Sequence, residues 1–320
     1  MELRALGASG LHVSRIGLGS MAWGRDVEWP QVKNMIHDFV DAGGNLIDTA
    51  PAYGGGVAEK MIGKLLGSGF PRHQLVIATK AGFMIRGGKR VIDTSRAAML
   101  EDLEASLRRL GTDHIDLWQI HAWGDAPIDE TLSAIDSAVS RGLVRYAGVS
   151  NFIGWQTATA ATWQQAIGGR TKLASAQVEY SLLARRAEVE VMGAVTHHGM
   201  GLLAWSGLGR GVLPGKYRGG IPRDSRGASQ HFAWFVEPYL QPRSQAIVDA
   251  VSKAAEGLGL TPAQVALLWL RDAPGVASAL VGPRTPEQLA ELLETESKVL
   301  VDPIVSALDD ISGGPNAHRR

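Results

Sequence analysis

The sequence predicts an α/β fold, a closed (β/α)8 TIM-type barrel, on three observations. Short runs rich in Val, Ile and Leu alternate with Ala-rich segments of helical spacing. The rotation is strict and repeats through eight strand-and-helix units. Glycine motifs that would mark an open nucleotide-binding sheet are absent. Strand–helix–strand order implies parallel strands joined by right-handed crossovers. An open doubly wound sheet would carry G-x-G-x-x-G after its first strand. That place holds GLGSMAWG, which lacks the third glycine at the required spacing. GLGRGVLPG at Gly207 fails the same test, and no G-x-x-x-x-G-K-[ST] occurs.

Each element has a local reason. Residues 1–14 read LRAL, GASG, LHVS, a hairpin suited to plug one end of a barrel. The apolar runs predict strands at 15–19, 45–48, 75–80, 115–120, 146–150, 173–178, 201–205 and 276–281. Helical spacing follows each, at 29–41, 57–66, 94–110, 128–141, 153–167, 188–198, 243–258 and 286–293. Thr94 stands as a cap before an Ala/Leu-periodic segment that Gly111 ends. Thr261-Pro262 reads as an N-cap with proline at the first helical position, opening an additional helix over 261–272. No linker interrupts the pattern, so residues 1–320 read as a single domain. Residues 207–242, rich in Gly, Pro, Arg and aromatics, form one long irregular segment after strand seven. Such loops are usually functional, and here the loop lies over the active face.

Composition narrows the function classes. With 45% hydrophobic and 20% charged residues, the core can be large. Lys plus Arg and Asp plus Glu balance at 32 each, a net charge of +0, so neither nucleic acid nor an anionic membrane is an expected partner. No apolar run is long enough to span a bilayer, and the N-terminus lacks a secretory pattern. The absence of cysteine removes disulfides, thiol nucleophiles and thiolate metal sites. A cytoplasmic location is the expectation. Oligomeric state is left open.

Barrels of this class build active sites at the carboxyl ends of their strands. Those positions hold Asp48 with Tyr53 in the loop beyond, Lys80, His121, Ser150-Asn151, Gln177 and Trp205-Ser206. Singly, each has a structural reading: a loop cap, a snorkelling lysine, a satisfied histidine, a turn aromatic. Together, acid, phenol, amine and imidazole make a chemically sensible set. Reducing a carbonyl needs a hydride on carbon and a proton on oxygen. Tyr53 can give the proton if a cation lowers its pKa, Lys80 can supply that charge, and Asp48 can pin the ammonium. His121, as neutral imidazole, can orient the carbonyl oxygen. Other chemistries fit less well. His197 and His198 point ~100° apart on a helix, His114 and His121 flank a strand, and no H-E-x-x-H exists, so no metal is expected. A glycosidase would need a second rim carboxylate, and Glu179, past Gln177, faces an uncertain way. Ser150 lies in GVSNF, which is not G-x-S-x-G.

These motifs, from IGLGSMAWG through DTAPAYGGG, VIATK, LWQIHAW, GLVRYAGVSNF, QVEYSLLAR and SGLGRGVLPGKY to TPAQVALLWL and GPRTPEQLAELL, closely resemble the aldo-keto reductase family. The resemblance covers essentially the whole chain, and is nearer the bacterial branch that includes potassium-channel β-subunits than the aldose reductase branch. It implies an NADPH-dependent oxidoreductase reducing aldehydes or ketones, with NADH also possible. By resemblance Asp48, Tyr53, Lys80 and His121 are the catalytic tetrad. Ser150, Asn151 and Gln177 would hold the nicotinamide carboxamide, and Trp205 would stack on its ring. Gly19, Ser20 and Met21 would approach the cofactor. The backbone of Ser206, Gly207, Leu208, Arg210 and Gly211 would wrap the pyrophosphate. Gly282 would contact the cofactor and Arg284 would face the 2′-phosphate, with Gln288 and Glu291 on the adenosine side. Two departures stand out: Gly207 where the family usually has proline, and Leu292 where it usually has an asparagine for adenine. Trp23, Tyr53, Phe83, His121 and Trp123 would line the substrate pocket, with His231, Phe232, Trp234 and Phe235 on the long loop. No cation is obviously placed for a phosphorylated or acidic substrate, Arg25 and Arg86 being left open. Two other functions share the barrel. One is a cofactor-sensing regulatory subunit; the other is a dehydrogenase working oxidatively on sugar or pyridoxine-like alcohols.

Overall fold

The computed structural model describes residues 1–86 and 89–313. Eight parallel strands close on themselves: Ile16–Gly19, Leu46–Asp48, Val76–Ala81, Ile115–Ile120, Val144–Ser150, Leu173–Glu179, Gly201–Trp205 and Val276–Val281. They neighbour one another in chain order, and the eighth returns to pair with the first through Leu280 and Gly17. Numbered one to eight, they match the sequence expectation within two residues at every boundary.

Side-chain alternation explains where the site arises. Successive residues of a strand face opposite sides. Leu46, Ala78, Leu117 and Leu203 form one apolar cluster with Leu6, Leu11 and Val13 of the N-terminal hairpin, inside one end of the barrel. Their neighbours Ile47, Ile77, Trp118 and Ala204 join the larger core beneath the helices. The inward parity, carried two residues further along strands two, three and seven, brings Asp48, Lys80 and Trp205 to the other end of the interior. On strand four it runs from Leu117 through Gln119 to His121.

The hairpin pairs Leu3–Ala5 with His12–Ser14 and closes the amino-terminal end of the barrel, as expected for a plug. Its turn seats through Ala8, whose N–H donates to the Gly199 carbonyl at 2.7 Å. Gly7 has φ +59°, and a Cβ there would lie 2.4 Å from that same oxygen. Only glycine satisfies both conditions.

Differences from the expected elements have local causes. Ser95, not Thr94, caps the helix Arg96–Leu110 through its hydroxyl, which accepts from the Ala98 N–H; Thr94 is buried, its carbonyl accepting from Thr131. The single helix expected over 188–198 is a 3-10 turn, Arg186–Glu188, followed by Val191–His197, because Glu190 adopts φ −141° between them. Thr261 caps Pro262–Arg271 as expected, in a reciprocal box with Gln264. Two elements were not anticipated, a hairpin of Phe83–Arg86 with Lys89–Ile92 beyond strand three and a terminal helix Asp302–Ser312. The long segment after strand seven contains short turns and the one-turn helix Ala233–Val236.

Candidate active site

Lys80 lies at the centre of the rim. Its ammonium donates to both Asp48 oxygens at 2.9 and 2.8 Å, to the Thr49 carbonyl at 3.0 Å and to the Tyr53 hydroxyl at 3.3 Å. Gln177 Nε2 donates to Asp48 Oδ1 at 2.7 Å, so the acid is held from two sides. Lys80 and Asp48 are buried, where an ion pair persists only with its remaining donors and acceptors satisfied, as these are. His121 faces Tyr53 edge-on with ring centroids 6.2 Å apart, and Phe83 packs on it at 5.0 Å. The structure thus gathers all four tetrad candidates into one group.

Electrostatics revises one expectation. Tyr53 keeps some exposed surface, and its hydroxyl lies against the buried Lys80 ammonium. Burial pushes the phenol's pKa up; Lys80 pulls it down by charge and hydrogen bond, Asp48 pushes it up, and the net direction is up. A lowered pKa was expected from the cation alone. Desolvation outweighs the cation, so the phenol is firmly protonated at neutral pH. Burial would lower the pKa of Lys80, but Asp48 and Tyr53 raise it beyond its ordinary value, and it stays charged. Burial and then the Lys80 charge drive His121 well below the ordinary imidazole range, leaving it neutral. Its Nδ1 has no hydrogen-bond partner among the described residues.

The remaining rim residues converge on the same mouth. Among the described residues the non-glycine positions in the left-handed region are Asn151 (φ 57°), Ser206 (φ 57°) and Arg210 (φ 58°), all on this rim. Such backbone persists where its surroundings over-determine it. Asn151 donates to the His121 carbonyl at 3.0 Å and to Ser150 Oγ at 3.2 Å, and accepts from Trp205 Nε1 at 3.1 Å. It therefore ties strands four, five and seven together. Ser20 follows strand one, its N–H donating to the Asp48 carbonyl at 2.9 Å and its hydroxyl buried with no partner among the described residues; Gly19 lies against the Val281 carbonyl, and Met21 is half-buried.

The long loop adds what sequence reasoning missed. Burial and then the charge of Arg284 push down the pKa values of both Lys216 and Arg226, which also repel each other. Among the described residues none of the three is within ion-pair distance of a carboxylate. Asp224 acts on Lys216 and Asp26 on Arg226, each more weakly than Arg284, and the three cations fit a multiply charged anion such as a phosphate monoester. Arg284 was named from sequence. Lys216 and Arg226 sit in a glycine-rich loop whose path was unknown, and their positive charge was the sole signal.

Other expected cofactor residues are placed as follows. Arg226 reaches the Gly282 carbonyl at 3.3 Å, and Gln288 Oε1 accepts from the Arg284 N–H at 2.9 Å. The Glu291 carbonyl accepts from Gln264 at 2.9 Å, while Leu292 is buried in the core and offers no polar group. A Cβ at Gly207 would lie 2.3 Å from Leu270 Cδ2, so proline there would require Leu270 to move. Leu208 packs partly on the core, and Gly211 turns the chain at φ +87°. Glu179 holds the Arg210 guanidinium and gives Asp48 no carboxylate partner.

The candidate substrate walls are aromatic. Trp123 packs edge-on against Phe152 and Trp155, while Trp23 is wholly buried with its indole N–H unpartnered among the described residues. Phe235 lies nearly parallel to Trp205 and touches Phe232 and Trp234. His231 accepts from Trp234 Nε1 through its carbonyl. The guanidinium of Arg25 sits 3.9 Å from the Phe232 ring centre, and Arg90 sits 4.5 Å from that of Trp234. The side chain of Arg86 lies outside the described residues.

Comparison with known proteins agrees with this fold. The sequence profile of the Aldo/keto reductase family matches residues 15–312. The chain is 35% identical to the oxidoreductase YrpG of Bacillus subtilis, over 98% of this chain and 97% of that protein. It is 33% identical to the aldo-keto reductase YhdN of the same organism, covering 92% and 88%. It is also 33% identical to a probable voltage-gated potassium channel subunit beta of Arabidopsis thaliana, covering 95% and 94%. An eight-stranded barrel, a family profile spanning nearly all of it and relatives matched end to end lead to one conclusion: the chain belongs to the aldo/keto reductase family.

Proposed function

We propose that this protein is a cytoplasmic, NADPH-dependent reductase of aldehydes or ketones, with Tyr53 as proton donor. The observation that carries the proposal is the bridging of Asp48 and the Tyr53 hydroxyl by the Lys80 ammonium, with a neutral imidazole opposite. A bound dihydronicotinamide supplies the hydride. Tyr53 hands its proton to the oxygen that becomes an alcohol, and the fixed Lys80 charge stabilises the phenolate left behind. His121 donates one N–H to the carbonyl oxygen, which a histidine neutral at working pH can do without a charge of its own. Ser150, Asn151 and Gln177 would hold the carboxamide, and Trp205 would cover one ring face so that a single hydride faces the substrate. The apolar, aromatic walls favour aryl or alkyl carbonyls.

The test is a panel of aldehydes, ketones and alcohols, each run with NADPH and NADH and followed by absorbance. No turnover with any of them would sink the proposal. Because His121 is already neutral, kcat should stay level as pH passes through the ordinary imidazole range near ~6.5. A break there that disappears in His121→Asn would contradict the neutral role. Arg226→Ala and Arg284→Ala should each weaken NADPH binding by ~10-fold or more, as loss of a desolvated charge-assisted contact does, and change NADH binding little. Equal losses for the two nucleotides would count against a 2′-phosphate site.

A second reading is favoured by the relatives named as potassium channel β-subunits. Such a protein would sense the cofactor rather than turn over substrate. Steady-state turnover on the panel separates the two.

A further inference from the structure

Arg210 is an arginine in a left-handed conformation, unfavourable for any residue with a Cβ. Its side chain is mostly buried, and its charge is spent inside the protein. Nε and NH2 donate to the two Glu179 oxygens at 2.7 and 2.6 Å, and NH1 donates to the Phe235 carbonyl at 2.6 Å. The guanidinium carbon, Cζ, lies 4.0 Å from the Phe235 ring centre and 4.9 Å from that of Tyr239. Three separate pieces of chain are thereby fastened: the end of strand six, the turn after strand seven, and the far limb of the long loop.

The fastening reaches the site through a short chain of contacts. Glu179 pairs in register with Trp205 across strands six and seven. Phe235, held by Arg210, lies 6.3 Å from Trp205 with the rings 18° from parallel. Trp205 donates to Asn151, and Asn151 donates to the His121 carbonyl.

We infer that Arg210 is a positioning residue: clamped by Glu179, it holds the Ser206–Gly211 backbone and the Phe235–Trp205 stack in their ligand-binding shape before any nucleotide arrives. This rests on the reading of the rim as a nicotinamide cofactor site. It assigns the Arg210 guanidinium to Glu179 and leaves phosphate recognition to the backbone and to Lys216, Arg226 and Arg284. A bidentate guanidinium–carboxylate pair has a geometry that lysine cannot reproduce.

The test uses Arg210→Met, Arg210→Lys and Glu179→Gln singly, and Arg210→Met with Glu179→Gln together, with retained folding checked by circular dichroism. Hydrogen exchange over residues 207–242, measured without nucleotide, should quicken in each single variant. Dissociation constants for NADPH and NADH, from tryptophan fluorescence, should rise together by about tenfold, the double variant being no weaker than the worse single one. Lysine should not restore binding. Wild-type exchange and affinity in Glu179→Gln, or losses that multiply in the double variant, would overturn the inference and make Arg210 an independent phosphate ligand. Failure of the wild-type protein to bind either nucleotide would instead remove the cofactor reading, while the exchange measurements still decide whether the clamp exists.

Discussion

Tyr53→Phe is expected to lower kcat for carbonyl reduction by ~10²–10⁴-fold, about 3–5 kcal/mol of barrier, with NADPH affinity nearly unchanged. The substitution removes one hydroxyl and leaves a ring of the same shape against His121. It also frees Lys80 from one of four oxygen contacts while the Asp48 pair remains, so the fold should be spared. Burial and Asp48 hold the phenol above its ordinary pKa, so the proton needed for reduction is present throughout the neutral range. The rate should fall only on the strongly alkaline side, as the phenol ionises. Lys80→Met should also be slow, because the charge that offsets burial is lost and a phenolate would form less readily still. Single-turnover absorbance with a good aldehyde checks both. Near wild-type turnover by Tyr53→Phe would mean that another group gives the proton.

The largest expected effect on stability lies just beneath the site. Glu59, in the first turn of the helix Val57–Gly67, is fully buried. It accepts from Arg109 Nε at 2.6 Å and from the Thr79 hydroxyl at 2.6 Å. Thr79 precedes Lys80 on strand three, and the turn Tyr53–Gly56 leads into the helix that carries Glu59. A Cβ on Gly56 would come within 2.7 Å of Arg109 Cδ, so glycine is what lets the arginine pass. The ion pair joins the helix behind Tyr53 to the helix Arg96–Leu110, and the Thr79 hydrogen bond ties the same carboxylate to the strand that carries Lys80. Arg109→Met should destabilise the protein by about 3–5 kcal/mol, because it strands a buried carboxylate. Pairing it with Glu59→Met should recover much of that loss. Thermal or denaturant midpoints of the three variants decide it; a single variant as stable as the wild type would show that Glu59 is compensated by water.

Glu59 shows how far sequence reading reached. An acid in the first turn of a helix reads as a favourable dipole contact, and nothing local announces a partner fifty residues away. Arg109, at the end of its own helix, invites the same local explanation. The cations Lys216 and Arg226 were overlooked for a similar reason. Their separation from Arg284 along the chain carries no information about distance once an irregular loop folds back. Tyr53 is a different case: its neighbours were named correctly, but whether Lys80 or desolvation governs its proton depends on how much protein surrounds the hydroxyl.

Periodicity was enough for the eight-unit rotation and the strand ends, which are written in contiguous residues; closure into a barrel followed from the count of eight units and the missing glycine motif of an open sheet. Alternation along strands two, three and seven already committed Asp48, Lys80 and Trp205 to the inner face. The hairpin beyond strand three and the helix Asp302–Ser312 escaped notice, having weak patterns of their own and taking their form from what they pack against. What needed coordinates was every statement of competition: which carboxylate neutralises which cation, which cations crowd one another, and whether burial or an ammonium sets the state of a phenol. Those outcomes depend on distances across the barrel mouth, and a linear pattern contains no distances between residues that meet only after folding.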